Sequence, residues 1–158
     1  LKACLEAARV HPNYTRPVPA GAGRGVAVGF WFNVGMQSSA EVHINENGTV
    51  TLVEGSPDIG GSRASMCMMA AETLGVPYEQ IRALIGDTES TGFSNVTGGS
   101  RTTFATGMAV VRACEDIIAQ CKARAAATWG VDADQVLWED GRAIPAPGVN
   151  AELKPLSL

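Results

Sequence analysis

The sequence predicts an α+β fold, a two-layer domain in which a mixed or antiparallel sheet is covered by two main helices. Three observations carry the prediction. Residues 63–74 and 100–129 have helical patterning and stop at Gly75 and Gly130. Residues 40–44 and 49–53 alternate apolar with polar and flank Asn45-Glu46-Asn47-Gly48, whose Asn-Gly pair supplies the positive φ of a tight hairpin turn. The chain of 158 residues, 46% hydrophobic and 18% charged, is globular and long enough to bury about two-thirds of its unfolded surface.

In chain order, residues 1–10 read as a helix with Leu1, Leu5 and Ala8 on one face. Residues 11–25 are rich in proline and glycine and read as a linker. Val26, Val28, Phe30, Phe32 and Val34 alternate with small residues, so residues 24–35 read as a strand. After the hairpin, the glycine-rich stretch 55–62 opens into the 63–74 helix. Residues 77–80 read as a turn of helix and 81–85 as a strand. Residues 86–99 form a polar loop, long for a compact domain and therefore suspected of function. The 100–129 helix has a potential break at Gly107. Val136-Leu137-Trp138 and Asp140-Gly141 suggest a small hairpin, and the chain beyond Pro145 reads as extended. The resulting division is a helix and linker over 1–24, a core over 25–130, and a hairpin with tail over 131–158.

Charge and cysteine usage exclude several function classes. A net charge of −4 and a pI near 5.1 argue against nucleic-acid or anionic-membrane binding. No apolar run reaches the roughly 18 residues of a spanning helix, and the location expected is cytoplasmic. Cys4, Cys67, Cys114 and Cys121 form no CxxC pair. Cys114 and Cys121 stand about 10 Å apart along a helix, too far for a disulfide. Reduced, buried thiols are expected. The chain begins without Met and ends in proline-rich coil, so it is expected to be part of a longer protein.

Two loop-to-helix junctions are the chemical candidates: Asp58-Ile59-Gly60-Gly61-Ser62-Arg63 and Thr97-Gly98-Gly99-Ser100-Arg101-Thr102-Thr103. Each sets glycines, hydroxyls and an arginine at a helix N-terminus, where unpaired N–H groups and the helix dipole favour an anion. Taken singly, each reads better as an ordinary helix cap, with Ser62 and Ser100 as capping residues. Two of them together point to a shared phosphate-bearing ligand. There is no GxxxxGK[ST], and Gly21-Ala22-Gly23-Arg24-Gly25 has the wrong spacing for GxGxxG. Glu54, Asp87 and Glu89 are unclustered and read as solvated loop carboxylates. His11 and His43 read as structural, and Met66, Met68 and Met69 as core packing. No Ser-His-Asp or Cys-His pairing is evident.

Six segments in order carry a resemblance: Gly25-Val26-Ala27-Val28-Gly29-Phe30, Asn47-Gly48-Thr49-Val50, Pro57-Asp58-Ile59-Gly60-Gly61, Ala71-Glu72-Thr73-Leu74-Gly75-Val76-Pro77, Gly86-Asp87-Thr88, and Thr97-Gly98-Gly99-Ser100-Arg101-Thr102-Thr103. Together they resemble the molybdopterin-binding subunit of the xanthine dehydrogenase, aldehyde oxidase and carbon monoxide dehydrogenase family, over roughly residues 1–122. The resemblance implies a molybdopterin cofactor, often the cytosine dinucleotide form, that hydroxylates a carbon centre of a small molecule with water-derived oxygen. It implies electron transfer to 2Fe-2S clusters and FAD on other domains or subunits. By position, Gly98, Gly99, Ser100, Arg101 and Thr102 would lie against the pterin and its phosphate. Gly60 and Gly61 would occupy the family's Gly-Gln-Gly turn, although the glutamine is missing here and Asp58-Ile59-Gly60-Gly61-Ser62 stands in its place. The family's catalytic glutamate has no match in this sequence.

The resemblance therefore implies one cofactor-contacting domain, inactive alone, whose partners are the remainder of a large subunit and the Fe–S and FAD subunits. An isolated chain would expose an apolar face and self-associate, with Met66, Met68 and Phe93 as surface candidates. Two other readings remain: a non-enzymatic phosphate- or pterin-binding module, and a structural domain whose glycine loops only cap helices.

Overall fold

The computed structural model describes residues 1–150 and 152–158 and divides into two compact units, Leu1–Trp31 and Phe32–Leu158. In the first unit, helix α1 (Lys2–Val10) is followed by the short helix α2 (Pro12–Thr15), and neither buries a residue. His11 caps α2: its Nδ1 accepts from the Asn13 amide at 3.2 Å, while Pro12 opens the helix where no N–H is needed. The Arg24 guanidinium lies 5.8 Å from the centre of the Tyr14 ring and donates to the Tyr14 carbonyl.

The second unit is the predicted two-layer domain. Strand β1 (Ala40–Ile44) pairs antiparallel with β2 (Val50–Glu54) across the Asn45–Gly48 turn. β2 then pairs in parallel with β3 (Ile81–Ile85), so the sheet is mixed and β2 is central. Helix α3 (Ser62–Leu74) makes the crossover from β2 to β3, as a parallel pair requires. It packs with α4 (Gly107–Trp129) over the sheet. The core comprises Val50, Leu52 and Ile81 from the strands, Met66, Cys67, Ala70, Ala71 and Leu74 from α3, and Val110 and Cys114 from α4.

Gly107 lies where α4 meets α3. A Cβ at this position would stand 2.5 Å from the Met69 sulfur, so any larger residue requires the Met69 side chain to move. The expected break at Gly107 is a change of helix type. Residues Thr102–Thr106 form a single π-helical turn, and regular α-helix begins at Gly107.

A second, antiparallel sheet of β4 (Val136–Glu139), β5 (Arg142–Pro145) and β6 (Leu156–Ser157) packs on the end of α4 through Ala125, Ala126, Val136 and Ala143. The Trp138 indole N–H donates to the Leu74 carbonyl at 2.9 Å, fastening this sheet to the C-terminus of α3.

Four expectations need correction. Residues 22–39 form neither helix nor strand. Their alternation supplies β-propensity, but a strand exists only when paired, and none of the described strands pairs with them. Phe30 is consequently 91% exposed. Glu54, read as a solvated loop carboxylate, is 2% exposed, whereas Asp87 and Glu89 do face solvent. Of the methionines, Met66 is core and Met69 packs against it, but Met68 is 62% exposed, as Phe93 is at 68%. All four thiols are free as expected, but Cys4 is exposed rather than buried.

Candidate functional site

The first glycine loop follows from how β2 ends. Burial alternates along β2, with Val50, Leu52 and Glu54 all facing the helices. The last core-facing position is thus a carboxylate, which needs hydrogen bonds inside the protein. Glu54 receives the Ser56 amide at 2.6 Å. Burial pushes its carboxyl pKa up, the amide and hydroxyl of Ser56 pull it back down in part, and the charge of Asp58 adds to the rise.

Beyond Ser56 the chain turns through Gly60 and Gly61, both left-handed with φ of 65° and 81°. Asp58 accepts from the Arg63 amide at 3.1 Å and pairs with the Arg63 guanidinium at 3.5 Å. Ser62 is buried, its hydroxyl donating to the Pro57 carbonyl at 3.4 Å and accepting from the Ile59 amide at 3.2 Å. Asp58, Ser62 and Arg63 are therefore engaged in shaping the loop. Gly60 and Gly61 are exposed, with no atom within 4 Å of where a Cβ would stand.

The second loop is pinned from below by residues 33–39. The Val34 amide donates to the Gly99 carbonyl at 3.1 Å, and the Asn33 side-chain amide donates to the Ser100 carbonyl at 2.6 Å. Gly99 and Ser100 are both left-handed, with φ of 62° and 55°, and Ser100 is a non-glycine residue in that region. Gly98 and Ser100 are exposed, and Thr102 opens the π turn half-buried.

Arg101 behaves differently from the expectation that it supplies charge to a ligand. It is fully buried at 0% exposure. Its guanidinium donates to the carbonyls of Gly35 at 2.6 Å, Gln37 at 2.6 Å and Asn95 at 3.0 Å, and to the Ser38 hydroxyl. The planar fork of donors suits this clamp, which a lysine could not reproduce. The Arg101 side chain thus faces inward and organises the loop.

The bases of the two loops are joined. Ser56 Oγ lies 2.8 Å from Thr106 Oγ1, and Thr106 Oγ1 lies 3.0 Å from Ser38 Oγ. Glu54, Ser56 and Thr106 are all buried. These residues were not singled out from sequence, except Glu54, which was misassigned. The signal available was register: continuing Val50-Thr51-Leu52-Val53 by one step puts Glu54 on the core face. A groove of about 810 Å³ runs beside this junction, between residues 35–40 and the start of α4, lined in part by Phe104, Met108 and Arg112. Gly60, Gly61, Gly98 and Gly99 do not line it.

Chemically, the exposed rims of both loops present backbone donors. The amides of Gly60, Gly61, Gly98 and Gly99 have no hydrogen-bond partner among the described residues. Gly60, Gly61 and Gly98 have no side chain to obstruct a ligand drawn against them. Such a donor set suits phosphate oxygens and polar heterocycle edges. Among the described residues no cluster of three or more His, Cys, Asp or Glu side chains could hold a metal ion. Among the described residues, too, no helix is long and apolar enough to cross a membrane.

Residues 5–155 match the family model described as "Molybdopterin cofactor-binding domain". The chain is 37% identical over 124 residues to the aldehyde oxidoreductase molybdenum-binding subunit PaoC of Escherichia coli, covering 76% of this chain and 16% of that protein. It is 32% identical over 110 residues to the carbon monoxide dehydrogenase large chain of Hydrogenophaga pseudoflava, covering 69% of this chain and 14% of the relative. Among solved structures, a Cu,Mo-CO dehydrogenase superposes with a TM-score of 0.66 at 28% identity, over 71% of this chain and 14% of that one. Quinoline 2-oxidoreductase from Pseudomonas putida 86 superposes with a TM-score of 0.58 at 26% identity, over 70% of this chain and 14% of its own. The chain thus spans about a sixth of the length of the curated relatives it matches.

Proposed function

This chain belongs to the molybdopterin cofactor-binding domain family, and from that footing we propose that its two glycine loops hold the pterin and phosphate of the cofactor within a larger molybdenum hydroxylase. The observation that carries the reading is the set of partnerless amides at Gly60, Gly61, Gly98 and Gly99, with open space where side chains would stand at Gly60, Gly61 and Gly98. Ser100 and Thr102 add hydroxyl donors at the same rim. Arg101 contributes through its backbone, while its side chain positions the loop.

The residues present fit a polar, anionic group held by main-chain donors. When bound, the cofactor supplies hydroxylation of a carbon centre of a small-molecule substrate with oxygen from water. This chain's own residues bind and orient it; none of them is assigned as catalytic base. The remainder of a large subunit, and 2Fe-2S and FAD domains or subunits, complete the electron path, in a cytoplasmic setting. The chain by itself is expected to be inactive.

The test is cofactor content. The longer subunit that contains these residues is purified with Gly60→Val, Gly61→Val or Gly98→Val, and pterin is quantified by fluorescence after oxidative release. Each variant is expected to lose most of its pterin while keeping its fold by circular dichroism. Full pterin content in all three variants would sink the assignment of these loops.

A further inference from the structure

We propose that Arg101, Ser38, Thr106, Ser56 and Glu54 form one hydrogen-bonded relay, running through three hydroxyls, that holds the two glycine loops as a single cradle. The chain is continuous from bond to bond. A guanidinium can only donate, so Ser38 Oγ accepts from Arg101. Ser38 Oγ lies 3.0 Å from Thr106 Oγ1, and Thr106 Oγ1 lies 2.8 Å from Ser56 Oγ. Glu54 closes the far end by accepting from the Ser56 amide at 2.6 Å. No buried side-chain polar atom is left without a partner among the described residues.

The chain of bonds ties together three segments far apart in sequence. Glu54 and Ser56 lie at the base of the first loop. Thr106 ends the π turn behind the second loop, and Arg101 closes that loop. Ser38 belongs to the irregular segment beneath. A chain of this kind is mutually polarised, so breaking one link weakens the rest. Glu54, Ser56, Thr106 and Ser38 are positioning residues, since none of them stands at the exposed rim. Their consequence for the cofactor rests on the proposed function, but the relay itself is testable without it.

Two measurements on the full chain at pH 8 decide the proposal. The first is hydrogen exchange of Thr106→Val and Thr106→Ser. Valine removes the central hydroxyl at similar volume and is expected to speed exchange in both residues 55–62 and 95–101, leaving β2 and α4 protected. Serine restores the hydroxyl and is expected to restore wild-type exchange. Loosening of one loop alone, uniform loosening, or equal behaviour of the two variants would overturn the relay. The second is a double-mutant cycle of Ser38→Ala with Ser56→Ala, two residues joined only through the Thr106 hydroxyl, which stands even if Thr106→Val does not fold. The relay predicts that the unfolding constant of the double variant departs from the product of the singles by roughly 2- to 150-fold. Simple multiplication would overturn it. Neither readout involves pterin, so failure here leaves the cofactor assignment standing, and loss of that assignment leaves the relay standing.

Discussion

The isopropyl group of Val34 fills the space beside Gly99 where a side chain would begin. A Cβ on Gly99 would stand 2.0 Å from a Val34 methyl, while the Val34 amide donates to the Gly99 carbonyl at 3.1 Å. The contact forces glycine at this position twice over, through its left-handed φ and through sterics.

Gly99→Ala is therefore expected to destabilise the chain by about 2–4 kcal/mol, combining left-handed strain with overpacking. Gly98 has neither constraint, so Gly98→Ala should change stability by less than about 0.5 kcal/mol. Urea denaturation of the two variants checks the contrast, and equal effects would contradict the Val34 contact.

Arg101 holds three backbone carbonyls and a hydroxyl from a fully buried position. Arg101→Met strands these acceptors and should cost roughly 3–5 kcal/mol. Arg101→Lys is expected to recover less than half of that, because one ammonium cannot span the fork. The unfolding midpoints of the two variants provide the measurement. A methionine variant as stable as wild type would show that the clamp contributes nothing.

Glu54 gives a pH signature. Burial dominates and holds its folded pKa above the unfolded value, so the folded chain binds that proton more tightly. The stability this group contributes is fully present below about pH 4.3, the usual glutamate range, and is lost as pH rises through the folded pKa. Relative to Glu54→Gln, the wild-type chain should lose stability from pH 4 upward and then level off. Stability curves against pH for both chains test it; a wild type that gains on the variant with rising pH would mean that the Ser56 bonds outweigh burial.

The thiols should react in order of exposure. Cys114 is fully buried, and burial, with the charge of Glu115 added, pushes its pKa up to about 11. Burial also raises Cys67 and Cys121. Alkylation at pH 8 followed by peptide mass spectrometry should find Cys4 modified first, with Cys67 and Cys114 labelled only on unfolding. Early labelling of Cys114 would be incompatible with its place between α4 and the sheet.

Local signals carried much of the fold. The hairpin at Asn45–Gly48, the helix stops at Gly75 and Gly130, and the two-helix cover of a mixed sheet are written in turn residues and periodicity. What periodicity could not convey was pairing. Val26 to Phe32 alternate as a strand would, yet none of the described strands pairs with them, and β-propensity does not create a neighbour. At the site, the glycines of both loops were legible because a left-handed backbone selects glycine. The role of Arg101 was not, because an arginine beside glycines at a helix start looks the same whether it faces a ligand or the interior. Only the carbonyls of Gly35, Gln37 and Asn95, brought in by the tertiary fold, decide its direction.

The Arg101 clamp also dictates an order of events during synthesis. Its partners Gly35, Gln37 and Ser38 precede it by 66, 64 and 63 residues, and no helix or strand of their own holds them. On a ribosome adding about 5–20 residues per second, that stretch waits roughly 3–13 s for its guanidinium. The hairpin of β1 and β2 needs no such wait, since both strands emerge within residues 40–54. Limited proteolysis of stalled nascent chains should therefore cut residues 33–39 freely until Arg101 has cleared the exit tunnel, and protection before that point would place another partner there first. A length of chain that looks ready to fold on its own is in effect a late joiner, recruited by residues 94–106 made long after it.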